Sequence, residues 1–330
     1  MRILVTGGAG FIGSNLVETL LLDKRVSLVR VLDNLSTGHL SNIEEFFEHP
    51  KFQFFKGDIC DYETCMEACK GIGLISHQAA LGSVTRSIKS PINTNAVNIV
   101  GTLNVFTAAK NSGIKRVVYA ASSSTYGDSK ELPKQEDRIG SPLSPYAVTK
   151  LTNELYAKVF GDLYNMEFIG LRYFNIFGPK QSPEGDYAAV IPIFIKAILK
   201  NYAPRIDGDG EQSRDFTYVD NAVNANMLSL FTENKKAVNQ VYNIACGSQI
   251  TINQLFYNLR ELAQLELEPT YGLPRPGDVK HSLADISKAQ RLLNYHPTVL
   301  AKKGLNKVYH WCVKQTTHES SITNKTKQLI

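Results

Sequence analysis

No apolar run in the 330-residue sequence approaches the roughly 20 residues that a membrane-spanning helix needs, so no transmembrane helix is expected. The strand-like opening Arg2-Ile3-Leu4-Val5-Thr6 leaves no room for a charged and apolar secretory leader, and the chain reads as cytoplasmic. Cysteine is scarce: five residues, an odd number, argue against a disulfide scaffold, which a core of this size does not need. The group Cys60, Cys65 and Cys69 lacks a paired C-x-x-C and a nearby histidine, so no metal site is expected. Neither sign of charge dominates: a net charge of +5 suits anionic small ligands and gives no footprint for nucleic acid or a membrane surface. Repeats and low-complexity tracts are also missing. Basic residues gather only at Lys302-Lys303 and Lys325 to Lys327, which read as solvated surface.

What is present is an ordinary globular composition, 43% hydrophobic and 20% charged, long enough for two lobes or one enlarged α/β unit. Apolar, β-branched runs at Arg2 to Thr6, Val26 to Asp33, Phe52 to Ile59, Gly73 to Gln78, Lys115 to Ser122 and Glu167 to Asn175 predict strands. Helical stretches separate them, and Ile12, Leu16, Val17, Leu20 and Leu21 give the first helix one apolar stripe. Alternating βαβ units predict an α/β fold, a doubly wound parallel sheet of Rossmann type over 1–178. The remainder, 179–330, reads mainly as a smaller α/β substrate lobe, with the stretch around 220–248 able to return to the first domain. Its helices are expected to start at Asp220, Thr251 and Asp285 as N-caps, and the last dozen residues to fray.

Thr6-Gly7-Gly8-Ala9-Gly10-Phe11-Ile12-Gly13 ends the first strand and opens the first helix. Gly7, Gly10 and Gly13 stand where a pyrophosphate must approach backbone, and Phe11 and Ile12 begin the helix whose free N–H groups and dipole favour an anion. Asp33 lies twenty residues beyond Gly13 at the end of the second strand. A carboxylate there accepts bonds from adenosine ribose hydroxyls and repels a 2′-phosphate, which favours NAD over NADP. Asp58 and Ile59, after the third strand, are candidates to line the adenine pocket.

Tyr146 and Lys150 stand four residues apart in Ser144-Pro145-Tyr146-Ala147-Val148-Thr149-Lys150, so on a helix both emerge on one face. The preceding strand ends in the hydroxyl cluster Ser122-Ser123-Ser124-Thr125. A phenol with an ordinary pKa near 10 is too weak a base at neutral pH, and a neighbouring ammonium and an oxidised nicotinamide both favour phenolate. Ser122 can then relay the proton of a sugar hydroxyl.

Together these residues resemble the extended short-chain dehydrogenase/reductase family, from Arg2 to about Trp311. The resemblance extends the cofactor set to Asn34, Ser36, His77-Gln78-Ala79-Ala80, Asn98 and Tyr173, with His77 in a packing or orienting role. It also implies a UDP-sugar site built from Asn175, Ala189, Val190, Arg214, Arg275 and Asp278, the two arginines straddling the diphosphate. Within the family the sequence is most similar to bacterial UDP-N-acetylglucosamine 4-epimerases and their uronate-preferring relatives, through 80–88 and Ser122 to Thr125. Ser282 stands where strict galactose-type epimerases carry a bulky tyrosine, and Ser83, Ser123 and Ser124 are candidates to bond an acetamido group or a carboxylate.

The implied activity is NAD-dependent 4-epimerisation of a UDP-hexose through a 4-keto intermediate, UDP-N-acetylglucosamine or its uronate first and UDP-glucose as the alternative. A 4,6-dehydratase would carry Asp and Glu where Ser123 and Ser124 stand. A UDP-glucuronate decarboxylase, a ketoreductase and a non-catalytic NAD-binding scaffold are further alternatives. Relatives also imply a homodimer, pairing helices at about Asn95 to Asn111 and Tyr146 to Phe160 into a four-helix bundle.

Overall fold

The computed structural model describes the backbone of residues 1–184, 188–274 and 279–327. In chain order the principal elements are β1 (Arg2–Thr6), α1 (Phe11–Leu22), β2 (Leu28–Asp33), β3 (Phe52–Lys56), α2 (Tyr62–Cys69), β4 (Leu74–His77), α3 (Thr102–Asn111), β5 (Arg116–Ser122), α4 (Pro145–Tyr164) and β6 (Glu167–Tyr173). There follow α5 (Val190–Leu199), α6 (Val219–Phe231), β7 (Gln240–Ile244), α7 (Ile252–Ala263) and α8 (Ala301–Lys327).

The seven strands form one sheet in the order β7-β6-β5-β4-β1-β2-β3, every neighbouring pair parallel. This is the doubly wound Rossmann-type arrangement that the alternation of apolar runs predicts. Its connections turn to opposite sides between β1 and β4, and a crevice opens at the carboxyl ends of strands at such a switch point. The glycine turn after β1 and Gln78 after β4 therefore meet at one place.

Alternate residues of each strand pack on opposite faces. Ile3, Val5, Val29 and Val31 join Leu16, Val17 and Leu20 of α1 in one core layer, whereas Leu4 and Leu32 join Val105 and Phe106 of α3 and Phe160 of α4 in the other. Phe106 centres the second layer, its ring 4.7 Å from Phe168, 5.8 Å from Tyr119 and 6.0 Å from Phe160. The first layer continues into α5 and α7 through Phe194, Leu255 and Phe256. Three short strand pairs complete this second region, joining 176–177 to 217–218, 213–214 to 250–251, and 205–207 to 270–272.

The structure departs from the sequence reading in three local places. The helix expected over 95–111 is broken into a short helix at Pro91–Asn95, a π-helical turn at Ala96–Gly101 and α3. The wide turn seats Gly101 against Ile59, where a Cβ would stand 2.7 Å from the isoleucine side chain. The tail expected to fray continues as α8 to Lys327, since a helix seeded on packed residues such as Leu305 and Val308 propagates through Ser, Thr and Asn at small cost per residue. Thr251 does cap α7 through a capping box, but α6 is preceded by Tyr218, and Asp285 receives the Ser287 N–H one residue before the cap. Among the described residues no helix is long and apolar enough to cross a membrane, and no cluster of three metal-ligating side chains occurs.

Candidate active site

A cleft of about 510 Å³ opens at the switch point. The glycine turn forms its floor. A Cβ on Gly7, whose φ is +69°, would lie 2.6 Å from the Ala79 nitrogen, and one on Gly13 would lie 2.1 Å from the Gly7 carbonyl oxygen. Those two glycines serve the tight packing of the turn. Gly10 differs: its Cβ would meet only the Gly7 oxygen at 3.2 Å, so its open side belongs to the cleft. No side chain caps the first turn of α1 after Gly10, and its N–H groups are left for an anionic ligand. A dinucleotide pyrophosphate fits this cradle.

Asp33 is buried, with Oδ2 accepting from the Ala9 N–H at 2.9 Å and Oδ1 from the Leu35 N–H at 2.8 Å. Burial raises its pKa, opposed by those two bonds. The carboxylate thus ties the glycine turn to the loop after β2 and keeps lone pairs directed at the cleft it lines. Asn34 donates to Asp58 Oδ2 at 2.8 Å, bringing the loops after β2 and β3 together. Phe11, Ile12, Asn34, Ser36, Asp58, Ile59, Gln78, Ala79, Ala80 and Tyr173 all line the cleft. Asn98 does not. It is fully buried, and its amide accepts from the Leu81 N–H at 2.8 Å and donates to the Leu81 carbonyl at 3.2 Å, holding the lining segment from behind. His77 is likewise an internal brace, bonded to Thr6 at 2.7 Å and Thr102 at 3.0 Å, its pKa pushed down to about 3 by burial and by Lys150.

At the far end stand Ser122, Tyr146 and Lys150, together with Ser83. Ser144 caps α4 by accepting the Ala147 N–H, which fixes the turn that presents Tyr146. The N–H and hydroxyl of Ser124 both donate to Ser122 Oγ, at 3.1 and 2.9 Å, leaving the Ser122 proton as a donor toward Tyr146. Ser123 and Ser124 themselves line neither cavity described in this section.

The Lys150 ammonium donates to the Ala120 carbonyl at 2.8 Å and lies 5.9 Å from the Tyr146 ring centre, beside the phenol whose ionisation its charge was expected to favour. Burial raises the Tyr146 pKa, with the Ser122 hydroxyl pulling the other way, and burial lowers Lys150 to about 8, opposed by Glu154. The helix–strand spacing that bonds Lys150 to Ala120 is invisible in a four-residue repeat.

Gln78, Tyr173 and Asn226 form a buried network: Asn226 donates to the Tyr173 hydroxyl at 2.7 Å, and that hydroxyl donates to Gln78 at 3.1 Å. Asn226 lies on α6, and no local signal points to it. A second cavity, about 290 Å³, shares Asn175 and Ile176 with the first and is lined by Ala189, Val190, Arg205, Asp207, Arg214 and Phe216 among others. Arg214 donates to the carbonyls of Ser213 at 2.9 Å and Lys280 at 3.2 Å. Arg275 and Asp278 lie outside the described residues. Ser282 lines neither cavity, and its N–H donates to Ser213 at 3.1 Å. Sequence reasoning missed Arg205 and also Gln181, which lines the first cleft from a segment legible only as loop. Ser83 and Asn175, both lining residues, hold left-handed backbone at φ +105° and +39°, a strain typical of sites that aim side chains.

Residues 3–245 match the family model for the NAD dependent epimerase/dehydratase family. A putative UDP-glucose 4-epimerase of Methanocaldococcus jannaschii is 38% identical over 94% of this chain and 97% of its own. Among solved structures, the UDP-N-acetylglucosamine 4-epimerase of Methanobrevibacter ruminantium is 40% identical with a TM-score of 0.89, covering 95% of this chain and 98% of its own. The UDP-glucose 4-epimerase of Thermotoga maritima, solved with UDP-glucose, is 35% identical with a TM-score of 0.89 over 96% of this chain and all, 100%, of its own. The chain belongs to the NAD dependent epimerase/dehydratase family, an enzyme family of extended short-chain dehydrogenase/reductase type, and its cofactor is NAD.

Proposed function

We propose that this chain interconverts the 4-epimers of a UDP-hexose, with UDP-N-acetylglucosamine and UDP-N-acetylgalactosamine, or the corresponding uronates, as its preferred pair. The observation that carries the reading is the junction at Asn175 and Ile176, where the cleft holding Ser122, Tyr146 and Lys150 meets the cavity holding Arg214. A ligand anchored by its nucleotide in the second cavity presents its sugar to the tyrosine in the first. The names of the similar enzymes support the chemistry, and the N-acetylglucosamine epimerase at 40% identity supports the sugar. UDP-glucose is the second reading, favoured by the other two relatives.

NAD bound along Gly7, Gly10, Phe11, Ile12 and Gly13, with its adenosine ribose at Asp33, supplies a reversible hydride acceptor. Tyr146 takes and returns the proton of the sugar 4-hydroxyl, with Ser122 as relay. Lys150 contributes the charge that favours phenolate. Arg214, with Arg275, grips the diphosphate, and Asp278 accepts from the uridine ribose, so that the sugar alone turns over to present its second face. Ser83, Ser123, Ser124 and Ser282 are assigned to the sugar substituents; only Ser83 of these lines the cleft. Residues 1–178, with the stretch around 220–248, then act as the NAD side and 179–330 mainly as the UDP-sugar side.

We further assign a homodimer. On α4, Leu155 and Leu163 are 58% and 68% exposed and stand on one face with Val148 and Val159, beside the exposed Ile92 and Val100. An apolar stripe of that length on a long helix asks for a second copy.

Anomeric proton signals, followed with UDP-N-acetylglucosamine, its uronate and UDP-glucose in parallel and with no added reductant, test the proposal. Growth of a 4-epimer signal, fastest with the N-acetylated sugars, is expected. A keto-6-deoxy product, or no change with any of the three, overturns it.

A further inference from the structure

The segment 178–181 leaves the short strand at 176–177 and runs along the edge of the NAD cleft. Ile176 and Gln181, at its two ends, both line that cleft. Between them Lys180 holds a left-handed backbone at φ +68°, a conformation that costs a side-chain-bearing residue about 1 kcal/mol and persists only where tertiary contacts impose it.

The contacts come from the opposite wall. The Lys180 ammonium donates to the Asn42 carbonyl at 3.1 Å and to Glu45 at 3.2 Å, and lies 3.5 Å from Glu18 on α1. It also sits 5.2 Å from the centre of the Phe46 ring, and its side chain is only 13% exposed. Beside it, Asn15 of α1 donates to the Pro179 carbonyl at 3.1 Å. The receiving segment is itself part of the cofactor cradle: the Asn42 side chain and the His39 N–H both donate to the Ala9 carbonyl in the glycine turn, at 2.9 and 3.0 Å. One lysine thus joins the edge that carries Gln181 to the loop that braces the pyrophosphate turn.

We propose that Lys180 is a clasp: a positioning residue that fastens the 178–181 strap to α1 and the 39–46 segment, and so slows the release of NAD. The proposal rests on the reading of this cleft as the NAD site. A reaction that returns its hydride to the same sugar has no use for cofactor exchange between turnovers, and a strap fastened outside the reacting end limits exchange without touching the chemistry. The carboxylates it uses are half-exposed or more, so the fastening is electrostatic and screened by salt.

The test is the exchange of bound NAD for isotopically labelled NAD, read by mass spectrometry after desalting, in the wild type, Lys180→Met, Lys180→Arg and the double variant Glu18→Gln/Glu45→Gln. Exchange in Lys180→Met and in the double variant should be about 5- to 10-fold faster than wild type, in keeping with loss of a small set of charge pairs expressed in the off-rate. High salt should speed the wild type toward the same rate and leave Lys180→Met unchanged, while Lys180→Arg stays close to wild type. Wild-type exchange in Lys180→Met, or equal acceleration in Lys180→Met and Lys180→Arg, overturns the clasp while leaving the NAD site intact. A protein that takes up no NAD in any form overturns both.

Discussion

Tyr146 and Lys150 both line the cleft, the ammonium 5.9 Å from the ring centre. Burial raises one and lowers the other to about 8, so the first proton to leave the pair as pH rises comes off near the lysine value. The species left behind is phenol with amine or phenolate with ammonium, two arrangements of the same proton count, and the second is the base that the proposed reaction needs. kcat/KM should therefore rise with pH along a limb at or below about 8, the positive charge of bound NAD moving it downward. In Lys150→Met no such partner exists, and the limb should move above the ordinary tyrosine value of 10.0. A pH profile of kcat/KM for the two proteins checks this. A limb in the variant at the wild-type position would assign the titration elsewhere. At this scale the sequence spoke clearly where chemistry depends on local spacing, as with Tyr146 and Lys150 on one helix face. It was silent where a side chain finds its partner across the fold, as with Lys150 on the Ala120 carbonyl or Asn98 behind Leu81.

Among the elements, α4 matters most because it carries the pair. Its position relative to β6 is fixed by Glu154 and Arg172, joined by two bonds of 2.9 and 2.7 Å, with side chains only 8% and 4% exposed. Arg172 also donates to the Glu136 carbonyl at 3.0 Å. Removing one partner of a buried pair leaves the other charge stranded and costs about 3–5 kcal/mol. Arg172→Met should accordingly lower the melting temperature by roughly 6–20 °C, at about 2–4 °C per kcal/mol. An unchanged melting temperature would mean that the pair carries no net weight. Six sheet strands were legible because apolar β-branched runs bounded by turn residues encode them directly. The π-helical turn at Ala96–Gly101 was not, because it is set by the fit of Gly101 to Ile59 and of Asn98 to Leu81, which no periodicity records.

For the whole molecule, the doubly wound topology could be read from the alternation of strands and helices, since parallel crossovers have few alternatives. The second cavity could not. Arg205, Asp207 and Arg214 come from short strands whose pairings span long separations, Phe216 follows in the link to the next strand, and Asp215 draws the region together from within. Its buried carboxylate accepts the N–H groups of Cys246 at 2.9 Å, Gly247 at 3.0 Å and Ala284 at 3.3 Å, and burial pushes its pKa up to about 6 against those bonds. The proposed dimer belongs to this scale as well. Replacing Leu155 and Leu163 by Asp should convert a species of twice the 36.6 kDa chain mass into monomer in sedimentation experiments, with the fold retained by circular dichroism. A wild-type protein that sediments as a monomer at micromolar concentration would remove the bundle.

In the proposed reaction one hydrogen leaves carbon 4 of the sugar and returns to it inside a single site. Its most direct test is UDP-N-acetylglucosamine deuterated at carbon 4, incubated in ordinary water with the protein as purified and with no added reductant. The 4-epimer should accumulate with deuterium still on carbon 4. A 4-epimer that has lost its deuterium to solvent, or a keto-6-deoxy sugar in its place, would contradict it.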